Sequence, residues 1–89
     1  MKNARRDKVI IYGDLLEVLN EESKNEKIVL TRVQVKLNVS FDRLKKYLNK
    51  LEELGLIEDA AAPMITEKGR EYQKEYERVL DFIKRMNLV

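Results

Sequence analysis

The sequence predicts a mainly α fold with one small β-hairpin, and three observations carry that expectation. Residues 31–57, TRVQVKLNVSFDRLKKYLNKLEELGLI, hold two apolar-periodic segments separated by the short turn Asn38-Val39-Ser40. Gly55 then stops the second segment, and two short extended runs, Leu56-Ile57-Glu58-Asp59 and Met64-Ile65, flank Ala60 to Pro63. A last periodic stretch, from about Glu67 to Met86, is long enough for five helical turns.

The first helix is expected from about Asp7 to Glu22, because Tyr12, Leu15, Leu16 and Leu19 form one stripe while Asp14, Glu17 and Glu21 lie opposite. Ile11 and Val18 widen the stripe enough for two packing partners. Residues 23–27 are a polar loop. In the second helix Leu30 stands before the cap, Thr31 is the expected N-cap, and Gln34 completes a capping box. Val33 and Leu37 form its buried side.

Asn38 suits the left-handed conformation of a tight turn, and Ser40 suits the cap of the helix that follows. Val39 and Leu44 take the positions of a hydrophobic staple. Leu44, Tyr47, Leu48, Leu51 and Leu54 then face the core, which leaves Asp42, Lys46 and Asn49 pointing away and Arg43, Lys45 and Lys50 on the flanks. Gly55 ends this helix in a Schellman turn that brings Leu56 onto Leu51. Thr66 is the expected cap of the last helix. Its Tyr72, Tyr76, Val79, Ile83 and Met86 repeat at spacings of four and three, as the seam of a coiled coil does.

Two helices at this spacing, with a hairpin behind them, make a winged helix-turn-helix with a long C-terminal helix. One domain is expected, residues 1–66 forming the winged unit with a basic N-terminal arm and 67–89 the C-terminal helix. Hydrophobic residues at 44% and charged residues at 38% mark a soluble globular chain and exclude a disordered one. With neither cysteine nor histidine, disulfides, thiolate or imidazole catalysis and the common zinc sites are excluded. There is no phosphate loop, no nucleophile with a base, and no cofactor motif. Glu71 and Glu75 share a helix face, but Lys74 and Arg78 follow them, so a solvated salt-bridge ladder explains the pair and no enzyme is expected. The longest apolar run, Val9-Ile10-Ile11-Tyr12, is far short of a membrane span, and the absence of a signal segment sets the expected location as cytoplasmic, on the nucleoid.

The net charge is only +2, yet the charges are segregated. Residues 31–50 carry six basic residues and one acidic, and residues 51–67 carry five acidic and none basic. A basic patch of this kind attracts phosphate backbones through counterion release, even on a nearly neutral protein. A helix of about 10–12 Å diameter also fits the DNA major groove. The candidate DNA-binding residues are therefore Arg32, Ser40, Phe41, Asp42, Arg43, Lys45, Lys46, Asn49 and Lys50, joined by Arg5 and Arg6 of the arm. Phe41 can reach a thymine methyl or pack at the core edge. The arm can equally be a solubilising tail, and the basic face can be an ordinary solvated one.

Three stretches, LLEVL in the first helix, the block TRVQVKLNVSFDRLKKYLNKLEELGLIE, and ITEKGREY opening the last helix, together resemble the small archaeal winged-helix proteins regarded as transcriptional regulators, among them the ten-kilodalton crenarchaeal chromatin proteins. The resemblance implies binding of double-stranded DNA, often by a dimer joined through antiparallel C-terminal helices. Carried over, Ser40 to Lys46 would be the groove-facing start of the reading helix, and Tyr72 to Met86 the dimer seam, with Tyr72, Tyr76, Val79, Ile83 and Met86 as its residues. The same stripe can equally pack on the first helix of its own chain, and it is long enough for both, its first half intramolecular and its second half intermolecular. The wing departs from the family: IEDAAAPMI has two acidic residues and no basic one, where family wings often carry Gly, Lys or Arg. Phosphate repels such a wing.

The expected partners are duplex DNA and a second copy of the chain, with no membrane and no small-molecule effector. The alternative is a winged helix used for protein contacts within a larger complex. A first helix of about 16 residues cannot cover a last helix of about 20, which would leave Val79, Ile83 and Met86 for a partner.

Overall fold

A computed structural model describes residues 4–87, with side chains from residue 8 onwards. The order of elements is α1 (Ala4–Glu22), α2 (Leu30–Leu37), α3 (Phe41–Glu53), β1 (Ile57–Glu58), β2 (Met64–Ile65) and α4 (Glu67–Arg85). The strands pair antiparallel, Ile57 opposite Ile65 and Glu58 opposite Met64. This is the predicted mainly helical fold with a two-stranded hairpin and a long last helix. One core serves all of it, built from Leu15, Leu16 and Leu19 of α1, Val33 of α2, Leu44, Leu48 and Leu51 of α3, and Leu56 and Ile57 at the hairpin. Tyr12 and Tyr47 close one side of it edge to face, with ring centroids 6.2 Å apart.

The local signals for four of the helix ends hold. Asn38 is left-handed at φ 59, ψ 50, and its N–H donates back to the Gln34 carbonyl at 2.9 Å. Ser40 Oγ accepts the Arg43 N–H at 3.2 Å, and Thr66 Oγ1 accepts the Gly69 N–H at 3.1 Å. Gly55, at φ 79, carries a Schellman turn: the Leu56 N–H donates to Leu51 and the Gly55 N–H to Glu52, at 2.9 and 3.0 Å.

Two expectations are overturned. The cap of α2 is Val29 and not Thr31, no side chain bonds the free amides, and the first turn closes on the Val29 carbonyl through Arg32 and Val33. Packing sets this start: Leu30 lies against the core, so the chain turns helical two residues before the polar cap would allow. Leu54, expected in the core, is 38% exposed. The Schellman turn folds Leu56 back onto the space beside Leu51, and Leu54 is left on the rim, where its carbonyl accepts from Lys68 Nζ at 2.8 Å. The first helix also begins earlier than expected, at Ala4, so the backbone of Arg5 and Arg6 belongs to α1 and not to an arm ahead of it.

Candidate nucleic-acid interface

Three leucines fix α3 in the molecule. Leu44, Leu48 and Leu51 are buried to 1% exposure or less, so the opposite side of the helix must face out. Asp42, Arg43, Lys45, Lys46, Asn49 and Lys50 are all exposed there, as the spacing predicts. Ser40 stands at the start of this face as the cap. Among the described residues Arg43, Lys45 and Lys46 enter no ion pair, whereas Lys50 Nζ meets Glu53 Oε1 at 3.0 Å. That bond holds the Lys50 ammonium above its ordinary range, and it also shares part of its charge.

Arg32 is committed elsewhere. Its Nε lies 3.1 Å from Glu22 Oε1, and Lys36 Nζ reaches Glu22 Oε2 at 2.9 Å and Glu21 at 3.4 Å. Glu22 is 1% exposed, the one buried charged side chain among the described residues. Its hydrogen bond from Lys36 outweighs burial and holds the carboxyl below the usual carboxylate range, with the charges of Lys36 and Arg32 adding to the effect. The network pins the end of α1 to α2. Nothing local marks Glu22 for burial; the only available signal is the Arg32 and Lys36 pair, four apart on one face of α2.

Behind α3 the wing is closed upon itself. Glu52 Oε1 accepts the Ala60 N–H at 2.9 Å and Asp59 Oδ1 the Ala61 N–H at 3.0 Å, while Asp59 itself turns left-handed at φ 58. The wing amides are thereby spent on the chain's own carboxylates, and the exposed Glu58 and Asp59 leave its surface acidic. Ala60 and Ala61 lie beside Leu30, Phe41, Lys45, Leu48 and Asn49 around a notch of about 280 Å³. Phe41, at 39% exposure, lines this notch.

The seam residues of α4 divide. The Tyr72 hydroxyl donates to the Val9 carbonyl at 3.0 Å, and the Tyr76 hydroxyl bonds Asp14 Oδ1 at 3.1 Å and the Ile10 carbonyl at 3.4 Å. Burial, helped by the Asp14 bond, pushes the Tyr76 phenol up to about 12. Both tyrosines thus pack on α1 of their own chain, so the first half of the stripe is engaged within the molecule. Val79 and Met86 are exposed, Ile83 is half-buried, and Phe82, off the seam spacing, is 50% exposed beside them. Helix length is not the reason, since α1 and α4 have 19 residues each. The two helices meet at Gly13 and Tyr76, and beyond that contact a groove of about 420 Å³ runs between Val9 and Ile10 on one side and Val79, Leu80 and Ile83 on the other.

The side chains of Arg5 and Arg6 lie outside the described residues. Glu75 pairs with Arg78 at 3.4 Å in the ladder expected of that face. No helix among the described residues is long and apolar enough to cross a membrane.

Comparison with known proteins agrees with this geometry. A family model described as winged helix-turn-helix matches residues 5–84, from the first turn of α1 almost to the end of α4. No curated protein and no solved structure matches the chain. With the turn, the reading helix, the hairpin and both flanking helices inside the matched span, the chain belongs to the winged helix-turn-helix family, whose fold is in general a DNA-binding one.

Proposed function

We propose that this chain binds double-stranded DNA by laying α3 in the major groove, as a homodimer, and that it serves as a transcriptional regulator or a chromatin protein with no catalytic role. The observation that carries the reading is the exposed basic face of Arg43, Lys45 and Lys46, free of ion pairs among the described residues, on a helix locked from behind by Leu44, Leu48 and Leu51. The groove between α1 and α4 supports the dimer, because Val79, Phe82 and Met86 beside it remain exposed in a single chain. An antiparallel pairing of the distal ends of α4 sets Glu75 and Glu77 of one copy near Lys84 and Arg85 of the other, and parallel pairing does not. Reading helices held about 34 Å apart, or a multiple, would enter successive grooves on one face of the duplex.

A mobility-shift titration against random duplex at two salt concentrations tests the reading. Affinity should fall steeply with salt, by a logarithmic slope of about 0.9 for each phosphate engaged. A regulator then prefers its own site over random duplex by about 10³ or more, and a chromatin protein barely discriminates. The acidic wing favours one second reading, a winged helix used for protein contacts. No duplex binding at low salt would leave that reading standing alone.

A further inference from the structure

The notch between α3 and the wing has an apolar floor and a polar rim. Phe41, Leu48, Ala60 and Ala61 form the floor, and Lys45 and Asn49 stand at its edge. Glu52 ties the wing to the end of α3, Asp59 curls it on itself, and the residues it brings to the notch are alanines. Phe41 opens the reading helix, yet leaves over a third of its surface in solvent. It lies one helical turn before Lys45 and two before Asn49, so all three share one flank of α3.

A flank of a helix lying in the major groove faces the wall of the groove. Phosphates, sugars and the C5 edges of pyrimidines stand there. The base edges of standard DNA offer one apolar group to that groove, the C5-methyl of thymine. Charge selects the orientation as well: Lys45 is unpaired among the described residues, while Glu58 and Asp59 repel phosphate from the wing side.

We propose that the notch is a reader of thymine, in which the C5-methyl packs on Phe41 and Ala61 while Lys45 holds the adjoining phosphate. Asn49, at the other end of the flank, is placed to take the N6 and N7 edge of an adenine, the pairing that carboxamides make best. The inference rests on the duplex-binding reading and adds a preference to it: A·T-rich duplex is favoured over G·C through methyl groups, with the wing as a wall of the site and not as an insert into the minor groove.

The methyl group can be removed or added without other change to the duplex. Competition binding would compare one A·T-rich duplex with its counterpart in which deoxyuridine replaces every thymidine, and one G·C duplex with its 5-methylcytosine form. Loss of the methyl should weaken binding by about three- to fivefold per site, and its addition to cytosine should strengthen binding in the same range. Phe41→Ala should erase both differences, and Phe41→Leu should retain them. If Phe41→Ala melts the domain, Ala61→Leu, which fills the notch from the wing side, replaces it with the same expected loss. Equal binding of the thymidine and deoxyuridine duplexes overturns the inference and leaves duplex binding intact. A uracil effect that persists in Phe41→Ala shows the methyl to be read elsewhere and likewise overturns it, and binding to no duplex removes the inference together with the reading beneath it.

Discussion

The ring of Tyr76 lies over the backbone of Gly13, so close that a β-carbon on the glycine would stand 2.5 Å from Cε2 of the ring. Its hydroxyl, whose one proton is shared between Asp14 Oδ1 and the Ile10 carbonyl, keeps that ring from swinging aside. The approach of α4 to α1 is therefore set by a missing side chain.

Gly13→Ala decides between two effects of opposite sign. A mid-helix alanine gains about 0.8–1 kcal/mol over glycine in helix propensity, whereas overpacking costs about 1–3 kcal/mol. With the tyrosine ring held at its hydroxyl, the steric cost should win and the variant should melt at lower urea concentration than the parent. A stabilised variant would show that the ring yields, and that the contact is looser than it stands.

Glu22→Gln tests the junction of α1 and α2 through its pH dependence. The folded carboxyl is held below its ordinary value of 4.5, so its contribution to stability is present above that value and is lost as pH falls through the folded-state value. The parent should therefore melt above the variant at neutral pH, and the gap should narrow as pH falls below 4.5. A gap that is constant across this range would mean that the network acts through packing and not through charge.

Lys46→Glu with Lys50→Glu should abolish tight duplex binding while leaving the thermal melt close to that of the parent, since both side chains are exposed. Residual binding should show a salt slope reduced by about two, one phosphate for each lysine. Lys46 should carry the larger share, because Lys50 already leans on Glu53. Unchanged affinity in the folded double variant removes α3 from the interface.

Ile83→Asp, and Phe82→Asp beside it, should raise the dimer dissociation constant by about thirtyfold or more if this end of α4 is the centre of the contact. Sedimentation velocity at micromolar concentration reads the change directly. A parent that sediments as a monomer there refutes the homodimer, and the groove along Val79 and Ile83 is then simply open.

Which parts of this fold were legible follows from how far each cause reaches along the chain. Asn38, Ser40, Gly55 and Thr66 act on their own turn, through backbone conformation or a side-chain cap, and each did what its type and position predict. The start of α2 has no such local cause. It depends on where Leu30 meets a core assembled mostly from other helices, and a polar Thr31 nearby misleads. Burial of Glu22 depends on Arg32 and Lys36 being swung over it, and exposure of Phe82 on the place where α4 leaves α1. Spacing along one helix records neither. The basic face of α3 was readable because its leucines name the buried side, and the notch beside it was not, because half of its lining comes from beyond α3.

Thr66 joins the two feet of the wing: its hydroxyl donates to the Gly55 carbonyl at 2.6 Å, and its amide donates to Leu56 at 3.1 Å. Between Glu58 and Met64 the chain hangs from that clasp, with Ala60 against the core, Pro63 buried, and Ala61 and Ala62 exposed. Doubling such a loop costs only about 0.6 kcal/mol in closure entropy, so the exposed Ala61-Ala62 tip can be lengthened or recharged while the core below it stays as it is. Descendants of this chain have here a place to acquire new preferences without having to learn to fold again.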